Sequence, residues 1–238
     1  MNQVAYNFPV LKPLGIEELS FGRNIIAAGP PGVGKSVLCD NLVIDCLAKG
    51  IHVIYITLDT APKEIMGRLE LLCSKESGKK ERPSFIDGYS WLLGEVTEDN
   101  PVAHLSNLNN LGVRIFSTLN ERASPHILLF DSISTLFIYN GENEITRFMQ
   151  VNMARIKQSG SIGFWTVGEG MHTQTFSNLL RHLADGIIEM KFEEESELKR
   201  LIRVHTLKGY SVKTNWYQFM INNGGHLDII DSPIAHKS

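Results

Sequence analysis

The sequence predicts an α/β fold: a mostly parallel, twisted sheet flanked by helices, with antiparallel strands at its C-terminal end. Three observations carry that prediction. Short, nearly continuous apolar runs alternate with stretches of helical apolar spacing through most of the chain, as expected where helices cover both faces of a sheet. From Ile187 onward closely spaced apolar runs follow one another across polar turns, which is the pattern of antiparallel hairpins. No Gly/Ser/Pro-rich linker and no internal repeat interrupts the 238 residues, so one domain over residues 1–238 is expected.

Taken in order, Asn24–Gly29 is a short apolar run that stops at glycine, and it reads as the first strand of the parallel core. Ser36–Lys49 carries Val37, Leu38, Leu42, Val43 and Leu47 at helical spacing. His52–Leu58 is rich in β-branched residues and reads as a buried strand. Pro62 suits the first turn of the next helix, where a missing N–H costs nothing. Between Ser74 and Asn100 Lys, Glu, Gly and Pro are frequent, and a short strand near Ser84–Asp87 is expected between mobile loops. Asn107–Asn120 reads as a helix, and His126–Asp131 as a strand that stops at an acid. Glu142–Gln158 is a helix, Ile162–Val167 a strand, Phe176–Leu183 a short helix and Gly186–Phe192 a strand. The remaining hairpin runs are Leu201–His205 and Trp216–Ile221.

Composition narrows the function classes. With 43% hydrophobic and 21% charged residues the chain is ordinary for a globular protein, which excludes collagenous, disordered and disulfide-scaffold classes. No apolar run approaches the roughly 18 residues that span a bilayer. Met1–Asn7 lacks the basic and apolar segments of a signal peptide, so a cytoplasmic protein is expected. Cys39, Cys46 and Cys73 show no metal or redox spacing and are expected to be buried and reduced. His126, His172, His182 and His205 are scattered, without the spacing of a metal site. A net charge of −3 gives no global attraction to nucleic acid. One local candidate for single-strand binding exists, Lys75, Lys79, Lys80 and Arg82 beside Phe85, Tyr89 and Trp91, diluted by Glu76 and Glu81. Tyr89, Trp91 and Trp216 read more simply as packing residues, and Glu193–Glu197 as a solvated hairpin tip.

The strongest signal is Gly29-Pro30-Pro31-Gly32-Val33-Gly34-Lys35-Ser36. It fits G-x-x-x-x-G-K-[ST] completely and lies between a strand and a helix, the context a phosphate-binding P-loop requires. Its glycines let backbone N–H groups turn toward phosphate oxygens, and the helix that follows points its positive end at them. Lys35 is expected to reach the β- and γ-phosphates, Ser36 to place its hydroxyl on Mg²⁺, and Val37 to complete the nucleotide-binding set. No Asn-Lys-x-Asp guanine reader is present, so the nucleotide is read as ATP. Asp131, closing an apolar strand, is the candidate for the second Mg²⁺ position, the Walker B acid. Asp59, at the end of His52–Leu58, is the candidate base for the attacking water; the other role open to it is the N-cap of the helix near Pro62. Glu169, just past Ile162–Val167, is a second candidate base.

On these residues the chain resembles the KaiC-like branch of the RecA-type ATPases, known from the cyanobacterial clock protein and from many archaeal proteins. The likeness runs through Gly29–Ser36, Tyr55–Ile65, Ile127–Ser134, and Val204–Gly209 ahead of Phe219–Gly225, and spans most of the chain. It implies a single RecA-like P-loop NTPase domain, ATP bound at subunit borders, a ring that is usually a hexamer, and a regulatory or signalling role with a protein partner. It also implies that Lys208, before Gly209, reaches the γ-phosphate of a neighbouring subunit; the other reading of Lys208 is a solvated strand lysine. Two departures stand out. Where the family shows a Glu-Glu pair this chain has Asp59-Thr60, and where the clock protein autophosphorylates a Ser-Thr pair, Asn178–Asp185 carries Arg181-His182. The shorter, single carboxylate leaves a nucleotide-sensing scaffold with little hydrolysis as an alternative. Kinship leaves a DNA-binding recombinase paralogue as another, opposed by the net charge and the lack of an obvious N-terminal DNA-binding module.

Overall fold

The structure is a computed structural model that describes residues 5–73, 82–94, 104–121, 125–194 and 197–233. The elements are β1 (Ala5–Tyr6), a 3-10 helix at Pro9–Leu14, β2 (Leu19–Ser20), β3 (Arg23–Gly29), α1 (Lys35–Leu47), β4 (Val53–Thr57) and α2 (Pro62–Leu72). β5 (Ser84–Asp87), α3 (Tyr89–Leu92), α4 (Leu108–Glu121), β6 (Ile127–Asp131), α5 (Ile133–Leu136), α6 (Glu142–Gln158) and β7 (Ile162–Gly168) come next. α7 (Gln174–Leu183), β8 (Gly186–Glu194), β9 (Leu198–Leu207), β10 (Tyr217–Ile221) and β11 (Leu227–Pro233) complete the chain.

Among the described residues nine strands form one sheet in the order β11-β10-β9-β8-β3-β7-β6-β4-β5. Strands β8 through β5 in that order run parallel, and β9, β10 and β11 extend the sheet antiparallel from β8. The mixed sheet is therefore as the sequence implies. Its fourth late strand, β11, was not anticipated, because Leu227–Pro233 follows a glycine pair and has Asp228 and Asp231 breaking its apolar character. The short strand expected at Ser84–Asp87 is β5; the loops expected on either side fall largely on residues 74–81 and 95–103, outside the described residues.

Two-sided burial explains the continuous apolar runs. On β4, Tyr55 faces one core, while Ile54 and Ile56 face the other. On β6 and β7, Leu129 and Phe164 join Tyr55, whereas Leu128, Phe130 and Trp165 point the opposite way. Period-two alternation thus delivers apolar residues to both faces of the same strand, and neither face can be polar. The first core is covered by α1, α2 and the N-terminal segment, whose Phe8, Leu11 and Leu14 are fully buried. The second is covered by α4, α6 and α7, and there the Phe130 and Trp165 rings stack with centroids 5.2 Å apart. The Trp165 indole N–H donates to Asn24 Oδ1 at 3.0 Å, which satisfies its polar end inside that core.

Cys39 and Cys46 are buried and free, as expected, but Cys73 is partly exposed at the end of α2. Trp216 packs with the Lys191 and Arg203 cations over its ring at 4.7 and 4.4 Å. Trp91 packs edge-on to Tyr139, Phe85 tilts against Tyr55, and Arg82 lies 4.0 Å from Glu70. Much of the basic and aromatic cluster is therefore occupied in packing; Lys75, Lys79 and Lys80 lie outside the described residues. No helix among the described residues is long and apolar enough to cross a membrane.

Candidate functional site

In an open parallel sheet ligands bind beyond the carboxyl ends of the strands. Four strand ends converge there. β3 ends at Gly29, whose carbonyl accepts the Glu169 N–H at 3.0 Å, so the chain leaving β7 is pinned beside the phosphate loop. β6 ends at Asp131, in register with Thr57 of β4, and the Leu58 N–H donates to the Asp131 carbonyl at 3.0 Å. Asp59 follows directly. The topology thus brings Gly29–Val37, Asp131, Asp59 and Glu169 to one edge of the sheet.

The loop is shaped by glycines at two demanding positions. Gly34, at the N-cap of α1, has φ 119°, and a Cβ there would lie 3.1 Å from Ile221 Cδ1. Gly29 packs so closely on β8 that a Cβ would lie 2.5 Å from the Met190 carbonyl oxygen. A side chain at either position would distort the loop or displace the strand behind it. Val33 is buried, and Ser36 and Val37 sit half-buried in the first turn of α1, whose N-terminus opens onto the cleft. The Lys35 ammonium folds back onto the loop, donating to the Gly29 carbonyl at 2.7 Å and the Pro30 carbonyl at 2.9 Å. Burial lowers the Lys35 pKa, opposed by the carboxylates of Asp131, Glu169 and Asp59, among other groups. The three acids named from the sequence therefore share the field of this one cation.

Asp131 is buried and held through both oxygens. Thr166 donates its hydroxyl to Oδ1, and Tyr55 donates its hydroxyl to Oδ2 at 3.4 Å. Asp59 opens onto the cleft, where Thr135 Oγ1 donates to its Oδ2 at 3.4 Å. Partial burial, and then the charge of Asp131, push the Asp59 pKa up to about 6. Asp59 does not cap α2: the N-cap is Ala61, and no side chain bonds to that helix start. Glu169 projects into solvent beside Gly29.

Lys208 is not in a hairpin strand. It lies in the turn just past β9, where its N–H donates to the Asp185 carbonyl at 2.7 Å and its ammonium to the His182 carbonyl at 3.2 Å. Leu207 pairs with Gly186, which pairs with Ile25 of β3. Since β3 runs four more residues from Ile25 to Gly29, at about 3.3 Å each, Lys208 sits at the opposite edge of the sheet from its own phosphate loop.

Four groups at the site were not anticipated: Tyr55, Thr166, Thr135 and the Asp40–Arg68 pair behind α1. Each is a polar residue in or beside an otherwise apolar run. Thr166 is the polar residue inside Ile162–Val167, and Asp40 faces inward from the helix carrying Leu38 and Leu42. Buried polar groups require partners, and that requirement was the signal available. Among the described histidines, His126 is buried against His52 and the Leu119 carbonyl, and His172 bonds Ser134. Among the described residues no three His, Cys, Asp or Glu side chains converge as a metal cage.

The fold and this edge define a RecA-like P-loop nucleotide-binding protein. The family model described as "ATPase: KaiC" matches residues 15–233, and the chain belongs to the KaiC ATPase family. A UPF0273 protein of Thermotoga maritima is 24% identical over 223 residues, covering 89% of this chain and 91% of its own. A UPF0273 protein of Saccharolobus solfataricus is 23% identical, with 89% of this chain and 79% of its own covered. One from Pyrococcus horikoshii is 22% identical, with 89% of each chain covered. The similar proteins thus come from a bacterium as well as from archaea.

Proposed function

We propose that the protein hydrolyses ATP with Mg²⁺ and works as a ring-like oligomer in a regulatory or signalling role. The observation that carries this reading is the convergence of the phosphate loop, a doubly anchored buried carboxylate and a carboxylate of raised pKa on one sheet edge. The site residues fit a magnesium nucleotide. Magnesium keeps waters and takes few protein oxygens, and Ser36 and Asp131 supply a hydroxyl and a carboxylate of that kind. When bound, Mg²⁺ would neutralise charge on the β- and γ-phosphate oxygens.

The chain's own groups divide the work. Backbone N–H groups of Gly32–Ser36 and the α1 N-terminus cradle phosphate oxygens. Lys35 moves from the Gly29 and Pro30 carbonyls to the phosphates, a change of hydrogen-bond partner that requires no new burial of charge. Asp59, ionised above pH 6, orients the attacking water and takes its proton. Glu169, exposed to solvent, is the lesser candidate for that role. Lys208, facing away from its own loop, serves a neighbouring subunit's γ-phosphate, so each complete site is shared across a head-to-tail interface.

The raised pKa of Asp59 favours hydrolysis over the scaffold reading, since a carboxylate beside a phosphate loop that holds a proton near neutrality suits a general base. Phosphate release from ATP, followed across protein concentrations with subunit mass in parallel, tests the proposal. Turnover per subunit should rise with assembly, require Mg²⁺ and vanish in Lys35→Ala. Assembly with nucleotide but without phosphate release would make the protein a sensor.

A further inference from the structure

On the face of the sheet opposite α1, helices α4 and α6 leave an open cleft of about 870 Å³ between them. The two helices run in the same direction. Asn140, just ahead of α6, donates to the Leu105 carbonyl ahead of α4 at 2.7 Å, and Arg155 near the end of α6 donates to the Gly112 carbonyl at 3.2 Å. Asn152 of α6 borders the cleft and is 1% exposed. Its Nδ2 donates to the Phe148 carbonyl at 2.8 Å, while its Oδ1 has no donor among the described residues. A buried carbonyl left without a donor is costly and uncommon in native structures, so the cleft lacks a hydrogen-bond donor at its floor.

Gly112 faces Asn152 from within α4, where glycine weakens a helix relative to alanine. Packing does not demand it. A Cβ at Gly112 would meet Asn152 Nδ2, the Phe148 ring and Arg155 Nη1 at 3.6, 3.8 and 3.9 Å, which is ordinary contact. The missing methyl instead keeps the floor open beside Asn152. Two guanidinium groups also border the cleft, Arg147 and Arg155, and among the described residues neither is paired with a carboxylate. Glu144, the acid that borders the cleft among the described residues, already accepts the Gly141 N–H at 3.0 Å. The rim is apolar: Val113 of α4 is 63% exposed and Val151 of α6 is 42% exposed.

We propose that the α4–α6 cleft binds an extended acidic peptide segment of a partner protein. Its carboxylates pair with Arg147 and Arg155, and a backbone N–H supplies the donor that Asn152 Oδ1 lacks. Both demands must be met by one ligand. A small anion would satisfy the arginines and leave Asn152 without a donor, whereas a peptide chain carries carboxylates and N–H groups together. The helix fixes the spacing of the acids. Arg147 and Arg155 lie eight residues apart on α6, about 12 Å along its axis. Side chains on one face of an extended chain recur about every 6.8 Å. Two acids four residues apart therefore match the pair of arginines, and two acids in adjacent same-face positions do not. The cleft is thus a place where a partner is held on the face of the sheet away from α1, independent of the chemistry at the phosphate loop.

The test uses the full chain and a fluorescein-labelled peptide of serine and alanine that carries two glutamates four residues apart, read by fluorescence anisotropy. The control is the same peptide with glutamine at both positions. The glutamate peptide should bind with a sub-millimolar dissociation constant, and binding should weaken as salt is added. The glutamine peptide, and the glutamate peptide on Arg147→Gln, should each bind about tenfold more weakly. Gly112→Ala separates the cleft from the fold. Its methyl has room and favours the helix, so the urea midpoint should hold or rise, while peptide affinity should fall about tenfold because the floor beside Asn152 is filled. Native affinity in Gly112→Ala, equal binding of the two peptides, or no binding of the glutamate peptide up to millimolar concentration would each overturn the proposal. Self-association lost both in Arg147→Gln and in Glu194→Gln/Glu197→Gln would put the acidic hairpin tip of a second copy in the cleft, and would overturn it as well.

Discussion

In the proposed reaction Asp59 meets two demands: it must be ionised to take a proton, yet basic enough to hold one. Partial burial and the nearby Asp131 charge raise its pKa to about 6 from the usual carboxylate value near 4. The sign of the pH dependence follows. Below that pKa the group is protonated and cannot act as base, so phosphate release should rise with pH through about 6 and level off above it. Initial rates between pH 5 and 8 at limiting ATP, which report the free protein, check this; a flat profile would remove Asp59 from the chemistry. Single residues also set what was legible in the sequence. The meeting of Lys35, Ser36 and Asp131 at one sheet edge was readable because a phosphate loop comes in a fixed strand-loop-helix frame and an acid closes a nearby strand. Tyr55 and Thr166 were not, because their function is to hold another side chain across neighbouring strands, and strand order is not written in local spacing. Lys208 was assigned to a strand because Val204–Leu207 is strand-like, whereas Gly209 at φ 80° begins the turn earlier.

At the scale of elements, the expected helices and strands followed the apolar pattern with boundaries shifted by at most two residues except at the start of β9, which begins three residues earlier than expected. The informative case is α7. Its apolar face suggested a start at Phe176, but the helix begins at Gln174, because Thr173 caps it by accepting the Phe176 N–H at 3.1 Å. Thr173 also donates to Glu142 at the start of α6, so one side chain fixes two helix starts. Thr173→Ala should therefore cost about 1 kcal/mol of stability. Urea unfolding should show a lower midpoint with an unchanged slope, which separates a lost cap from altered compactness. The C-terminal end of α7 is anchored separately, by Arg181 to Glu189 at 2.8 Å, and Arg203 holds the other oxygen of that carboxylate at 2.6 Å. β8, β9 and α7 are thereby joined beside the turn that presents Lys208.

For the whole molecule, the decisive feature is the separation of Lys35 and Lys208 to opposite edges of one sheet. A single chain cannot bring them together without breaking the β3–β8–β9 ladder, so a site that uses both needs two chains. Chains carrying Lys35→Ala and chains carrying Lys208→Ala should each be inactive alone. Mixed before assembly, they should regain about a quarter of native turnover, the fraction of random head-to-tail interfaces that hold both lysines. No recovery in a confirmed mixed assembly would return Lys208 to the surface role first weighed for it.

The central claim is that this edge performs hydrolysis, beyond holding a nucleotide, and Asp59→Asn addresses it most directly because it keeps shape and removes only the base. Phosphate release should be measured for native and variant chains saturated with Mg²⁺ and ATP, with bound nucleotide quantified in the same samples. The account predicts equal ATP occupancy and turnover lower by about 10²- to 10⁴-fold in the variant. Equal occupancy with equal turnover would contradict it.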